Sequence, residues 1–255
     1  MSYFRNFNTI NYRFGNNENA VAFPELSIYS SVIDQIKDNI TSYQEYTILE
    51  NMRPDQVSYE LYGSTDYYWT FFLLNDNIRE QGWPLSEVEL LEQCKRDFSG
   101  TTLVTADDLV TDKTTATGSV RDKIVVGSTI QGQTSGITGL VTKRRLDLGQ
   151  VVIEGTKSFT QGETILLSTD VNVSFTATTV VAEYLATHHW ENASGEYVDL
   201  INANGVVDIT GGASNTAITN YDRYIRSNNL LKEIKVIKPN VISQIYNALQ
   251  TSIRV

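Results

Sequence analysis

The sequence predicts an α+β protein in which a helical, aromatic-rich first part and a strand–helix end flank a β-rich middle. Three observations carry this reading. Eighteen of the 26 Phe, Trp and Tyr residues lie in residues 1–99. Residues 101–181 hold only two, Phe159 and Phe175, but 18 Thr and 8 Gly. Aromatics then return at Tyr184. The shifts divide the chain into an N-terminal extension with a helix (1–45), a βααβ module (46–98), an inserted all-β domain (99–182), and a β segment ending in a docking helix (183–255).

Residues 1–27 have weak periodicity, and Asn16-Asn17-Glu18-Asn19 reads as a loop. Ile28, Val32, Ile36 and Ile40 recur at spacing four, one apolar stripe of a helix over Ile28–Tyr43. Tyr46-Thr47-Ile48-Leu49 is a short β-prone run. Pro54-Asp55 opens a helix, because proline suits a first turn and an acidic side chain favours the positive end of the helix dipole. Val57 and Leu61 share a face of it, and Gly63 ends it as a left-handed cap. Ser64/Thr65 cap a second helix through Asp66–Leu74, which is apolar nearly all round and so is expected in the core. Trp69, Leu73 and Leu61 are the expected core residues. Asn75-Asp76-Asn77 breaks that helix. Trp83-Pro84-Leu85 is extended, since the residue before proline avoids helical angles. It reads as the second strand of the module. Ser86 with Glu89 forms a capping box for Glu87–Arg96.

Lys123–Val126, Gly139–Thr142, Gln150–Ile153 and Thr164–Leu167 alternate β-prone residues with turn signals. Gly127-Ser128-Thr129-Ile130 recurs as Gly162-Glu163-Thr164-Ile165, 35 residues later. It is either a chance match or two copies of one hairpin in a small barrel or sandwich. Residues 183–225 read as polar strands and turns, with strands from Gly195 and from Gly205 and a loop from Gly211-Gly212. Ile234–Lys238 is a strand alternating apolar and basic residues, with its basic side chains on one face. Pro239 opens a last helix with an apolar stripe of Val241, Ile242, Ile245, Leu249 and Ile253.

The chemistry this composition allows is narrow. A net charge of −10 does not fit a uniformly basic nucleic-acid binder. The longest strongly apolar run, Tyr67–Leu74, is far short of the ~20 residues of a membrane helix. Met1–Arg5 offers no apolar signal core, so secretion is not expected. One cysteine, Cys94, forms no intrachain framework. His188-His189 is the whole histidine supply, and neighbours on a strand face opposite ways, which disfavours a shared metal. No phosphate-cradling glycine motif is present. No catalytic, cofactor-binding or metal-binding residue is assigned, and no nucleic acid, membrane or small-molecule partner is expected. An enzyme using Cys94 and a histidine is the least supported reading. Residues 221–255 reverse the charge balance, with 6 Lys/Arg against 2 Asp/Glu. A basic end on an acidic protein reads either as a docking contact, on its own body or on another chain, or as a short solvated stretch.

The strand–helix–helix–strand order of residues 46–85 resembles a LysM-type module. Tyr62-Gly63, Tyr68-Trp69, Asn75-Asp76 and Gly82-Trp83, with the ending Leu231–Pro239 and its helix, resemble the baseplate wedge protein (gene product 53) family of T-even-like contractile-tailed phages. The resemblance covers roughly 28–98 and 183–255, and residues 100–181 depart from it. It implies a non-enzymatic subunit, made in the host cytoplasm and placed in the virion tail baseplate, that contacts other wedge subunits around a six-fold ring. It makes Tyr62, Gly63, Tyr68, Trp69, Asn75, Asp76 and Trp83 the structural motif. The expected interface is Lys232, Lys235, Lys238, Ile245, Tyr246, Leu249 and Ile253 on the C-terminal arm, and truncation after Lys238 would then leave the monomer folded. The alternative is a peptidoglycan-binding LysM protein.

Overall fold

The computed structural model describes residues 9–13, 15, 20–24, 42–106, 123–200 and 208–247. The strands are β1 (Thr9–Tyr12), β2 (Val21–Pro24), β3 (Tyr43–Thr47), β4 (Thr101–Val104), β5 (Thr129–Gly132), β6 (Thr138–Arg145), β7 (Gln150–Ile153), β8 (Thr164–Leu167), β9 (Asp170–Thr176), β10 (Thr179–Ala182), β11 (Thr187–Glu191), β12 (Tyr197–Val198), β13 (Thr216–Thr219) and β14 (Glu233–Ile237). The main helices are α1 (Pro54–Tyr62), α2 (Trp69–Leu74), α3 (Asp76–Gln81), α4 (Glu87–Asp97) and α5 (Asn220–Lys232). The α+β class holds. The chain forms two compact units, Met1–Ser86 with Ser227–Val255, and Glu87–Arg226.

The first unit begins with a hairpin, β1 against β2, in a stretch that periodicity alone left without strands. The Asn-rich loop at 16–19 lies outside the described residues. So does the expected helix up to residue 41, and Tyr43 opens a strand instead. α1 starts at Pro54 as expected, with Gln56 Oε1 accepting from the Arg53 N–H at 2.9 Å. Gly63 sits at φ 70°, and its N–H donates to Tyr59 O at 2.9 Å. This is the left-handed cap, the conformation a side chain resists. Buried Ser58 ties the following turn, donating to Ser64 O (2.6 Å) and accepting from Tyr67 N–H (3.3 Å). Only Asn75 leaves the helical region, and α3 begins at Asp76, so the expected three-residue break is a single residue between two helices.

The module's second strand is not Trp83–Leu85, which bends at Trp83 and joins no sheet among the described residues. β3 pairs antiparallel with β14, Thr47 opposite Glu233 and Tyr43 opposite Ile237. Pro84 explains the failure, because a proline cannot donate to a ladder. The core joins Ile48, Val57, Phe71, Ile78, Leu231, Ile234 and Val236, with Tyr46, Met52, Leu61, Tyr62, Phe72 and Trp83 packed at its margin. Each fully buried aliphatic or aromatic side chain here contributes about 1.5–3 kcal/mol. Leu73 is buried as expected, whereas Leu61 and Trp69 are only half-buried.

In the second unit a seven-stranded antiparallel sheet runs β10-β4-β7-β6-β5-β8-β9. It does not close into a barrel, one of the two expected forms, since β9 and β10 end the order without pairing to each other. β6 turns a corner in it: Thr138–Leu140 pair with β5, and from Val141 onward it pairs with β7, with a register shift between Val141 and Lys143. Strands that change partners at a bulge make such corners. Gly139 lies just before the shift, and a Cβ there would meet the Ile153 side chain at 2.1 Å. One apolar cluster, including Leu103, Ile130, Val141, Ile153, Ile165 and Phe175, lies within the folded sheet.

The 35-residue repeat is structural. Gly127 N–H donates to Val141 O (2.8 Å), and Val141 N–H donates to Ser128 O (2.9 Å). Its counterpart repeats this as Gly162 to Ala177 (2.7 Å) and Ala177 to Glu163 (2.9 Å). β5 and β8 pair across the join, Ile130 opposite Leu167 and Gly132 opposite Ile165, so the copies meet as equivalents. Lys123–Val126 is a turn rather than a strand. β12, β11 and β13 make a separate sheet. Of the strands expected from Gly195 and Gly205, the first shrinks to Tyr197–Val198. The second falls partly outside the described residues and ends in a turn. α5, read as polar strand and turn, is a helix because Thr219 and Asp222 cap it reciprocally, at 2.7–3.0 Å.

Candidate assembly surface

The seven motif residues divide into those that hold the first unit together and those that face out. The Tyr62 hydroxyl donates to Ile237 O at 2.8 Å, binding α1 to β14, and burial pushes its pKa above the ordinary tyrosine value. The Trp83 indole donates to Met52 O at 2.7 Å. Asn75 donates to Phe71 O and Lys235 O, both at 2.8 Å, and accepts from Lys235 N–H at 2.7 Å. Asp76 pairs with Arg79 at 2.8 Å on the surface of α3. Tyr68 is 37% exposed. Trp69 lies 6.4 Å from the Tyr246 ring. The residues expected to stack in the core therefore form a graded aromatic face, Phe71 inside and Tyr68 outside.

A second amide clamp has no counterpart among the sequence expectations. Asn228 Oδ1 accepts from Leu85 N–H at 2.8 Å and its Nδ2 donates to Leu85 O at 2.9 Å. It supplies the Trp83-Pro84-Leu85 piece with the partner that no strand gives it. An asparagine in a polar stretch carries no sequence signal for that role.

The lysines do not share one strand face. Lys232 ends α5 and pairs with Glu50 at 2.8 Å. Lys235 stands on β14 with its Nζ 5.2 Å from the Tyr43 ring centroid. Lys238 follows the strand, and its N–H donates to Ser42 O at 2.9 Å. Residues 235 and 238 differ by an odd number, which puts them on opposite faces. Residues 242–247 are helical. Ile242 is buried with Leu74 and Ile237, and Val241 and Ile245 pack against them. The Tyr246 ring meets Tyr67 edge-on at 5.5 Å. This part of the arm thus docks on its own unit. Leu249 and Ile253 lie outside the described residues.

Beside β14 is a groove of about 490 Å³ lined by Glu45, Leu74, Asn75, Asp76, Asn77, Glu233, Ile234 and Lys235. In the second unit, the adjacent histidines do not point apart. A register shift between Thr187 and His189 brings their Nδ1 atoms to 2.9 Å. His189 Nε2 lies 2.9 Å from Glu191, which also binds Arg226. With Nε2–H donating to the carboxylate, His189 Nδ1 accepts from Nδ1–H of His188. Burial first, then Arg223 and Arg145, push His188 down to about 4. Hydrogen bonds from Arg226 and His189 hold Glu191 down to about 2. Cys94 is buried, and burial with nearby Asp97 pushes its thiol up to about 11, far from a reactive thiolate. Among the described residues, no group of three His, Cys, Asp or Glu side chains is placed to hold a metal. No helix among them is long and apolar enough to cross a membrane.

Tyr62, Asn75, Trp83 and Asn228 all bind backbone groups far away in sequence, which makes the first unit a scaffold module. Residues 2–93 match the family model of base plate wedge protein 53. The match supports a structural role in a phage baseplate and points to the virion tail. No curated protein matches the chain.

Proposed function

We propose that the chain is a non-enzymatic subunit of a contractile-tail baseplate wedge that joins wedge proteins through protein–protein contacts around a six-fold ring. The observation that carries this is the match of residues 2–93 to the base plate wedge protein 53 family. The build of the molecule supports it. A ring needs at least two different surfaces on each subunit, and two compact units can present them separately. In the first unit, Tyr59 and Leu49 lie 64% and 59% exposed, and such side chains anchor interfaces when covered. Val88 and Tyr197 in the second unit are 72% and 62% exposed. The test is fractionation of a phage lysate with an antibody to the chain. Copurification with intact tails is the expected result. Pelleting with purified cell-wall sacculi, without tails, would instead establish the peptidoglycan-binding LysM reading.

A further inference from the structure

The two edges of the β3–β14 ribbon are not alike. Ile48 N–H donates to Lys232 O and Lys238 N–H to Ser42 O, both at 2.9 Å. Backbone groups at even positions of each strand therefore face the partner strand, and those at odd positions face outward. On β14 the outward groups are blocked by side chains. Asn75 takes both groups of Lys235, and Tyr62 takes the carbonyl of Ile237. On β3 the outward N–H and C=O groups of Tyr43, Glu45 and Thr47 have no partner among the described residues. Gln44, Glu45 and Thr47 are exposed. An unpaired edge is a template for another strand.

Charge narrows the occupant. Glu45, at the centre of the edge, is exposed and makes no ion pair among the described residues. Lys235 stands directly opposite it on β14, but its Nζ lies over the Tyr43 ring. A second copy pairing antiparallel about Glu45 would set two carboxylates face to face, which is unfavourable. A lysine or arginine in the incoming strand would meet that carboxylate instead.

Resting on the wedge reading, we propose that the outer edge of β3 accepts an extended, basic segment of a neighbouring baseplate subunit as a third strand. The test compares amide hydrogen exchange in the free full-length chain and in purified tails. The amides of Tyr43, Glu45 and Thr47 exchange at least ~100-fold more slowly in the tail, while those of Gln44 and Tyr46 are protected in both states. Two variants probe the edge. Glu45→Pro removes one outward donor without touching the bonds to β14, and Glu45→Lys reverses the charge. Both enter tails at less than about a tenth of the wild-type level, while Gln44 and Tyr46 stay protected in the free Glu45→Lys chain, showing β3 still paired to β14. Equal exchange of the three amides in both states would overturn the proposal. So would their protection in a dimer of the free chain, which would make the occupant a second copy. Absence of the chain from tails would overturn the wedge reading itself.

Discussion

The side-chain amide of Asn75 stands in for a strand: it binds both the N–H and the C=O of Lys235, 160 residues away, at 2.7 and 2.8 Å. The same Nδ2 donates to Phe71 O, so one buried side chain ends α2 and fixes β14. Replacing it leaves buried backbone groups unsatisfied. Asn75→Ala is expected to destabilise the first unit by about 2–3 kcal/mol in denaturant titrations. Asn75→Asp keeps the acceptor but directs a carboxylate at two carbonyls. Its penalty grows as pH rises from about 4 to about 7, through the ordinary carboxylate range. An equal loss at both would remove the clamp from the account.

Gly63 sits at φ 70°, and nothing lies within 4 Å of the place a Cβ would occupy, so any cost of a side chain there comes from the backbone alone. Gly63→Val is expected to cost more than about 1 kcal/mol, and Gly63→Asn less, because asparagine tolerates the left-handed region. Thermal melts of the pair check the order, and an unchanged melting temperature for the valine variant contradicts the cap.

Truncation after Lys238 removes Ile242, 4% exposed, together with Ile245 and the Tyr246 ring. Loss of a buried isoleucine alone costs about 2–5 kcal/mol. The truncated monomer is expected to melt well below the full chain, unlike the intact monomer that a purely external docking arm would leave. A full-length Ile242→Ala variant separates this packing from the remainder of the arm.

The histidine pair predicts a pH dependence. His188 is held down to about 4 against an ordinary value near 6.5. The unfolded chain therefore binds the extra proton first. The stability from keeping His188 neutral is complete above about pH 6.5 and is lost as pH falls toward 4. Allowing for solvent screening, the loss is about 1–2 kcal/mol. Urea midpoints between about pH 7 and pH 4 should fall in the parent and flatten in His188→Asn. Glu191, with its pKa lowered to about 2, acts in a more acidic window, its contribution being lost as pH falls from about 4.5 toward 2.

What was legible in the sequence was local. Pro54 and Gly63 mark the limits of α1 within a few residues of chain, and Gln150–Ile153 and Thr164–Leu167 announce themselves by composition and flanking turns. The missed features depend on distant partners or on a single irregular residue. Trp83–Leu85 has an asparagine rather than a strand for its neighbour, and β14 takes the place expected of it. α5 is rich in Asn, and the Thr219 and Asp222 pair that caps it went unread in a stretch taken as polar strand and turn. The histidines defeat the two-residue alternation because the ladder slips beside them. Tyr62, Asn75 and Trp83 stood out in the sequence, but the backbone groups they bind within the first unit did not.

The ribbon of the first unit also fixes an order of events during synthesis. Thr47 and its partner Glu233 are separated by 186 residues, which a ribosome takes roughly 10–40 s to make at ~5–20 residues per second. The second unit is contiguous in sequence, and its last residue is made before the first residue of β14. Until then Ile48, Val57 and Phe71 have no strand to cover them, and Asn75 and Tyr62 have no backbone to bind. The half of the protein made first is thus finished last. A chain that ends before Glu233 contains every residue of the second unit but lacks the strand that closes the first, a form open to chaperones and proteases rather than to the baseplate.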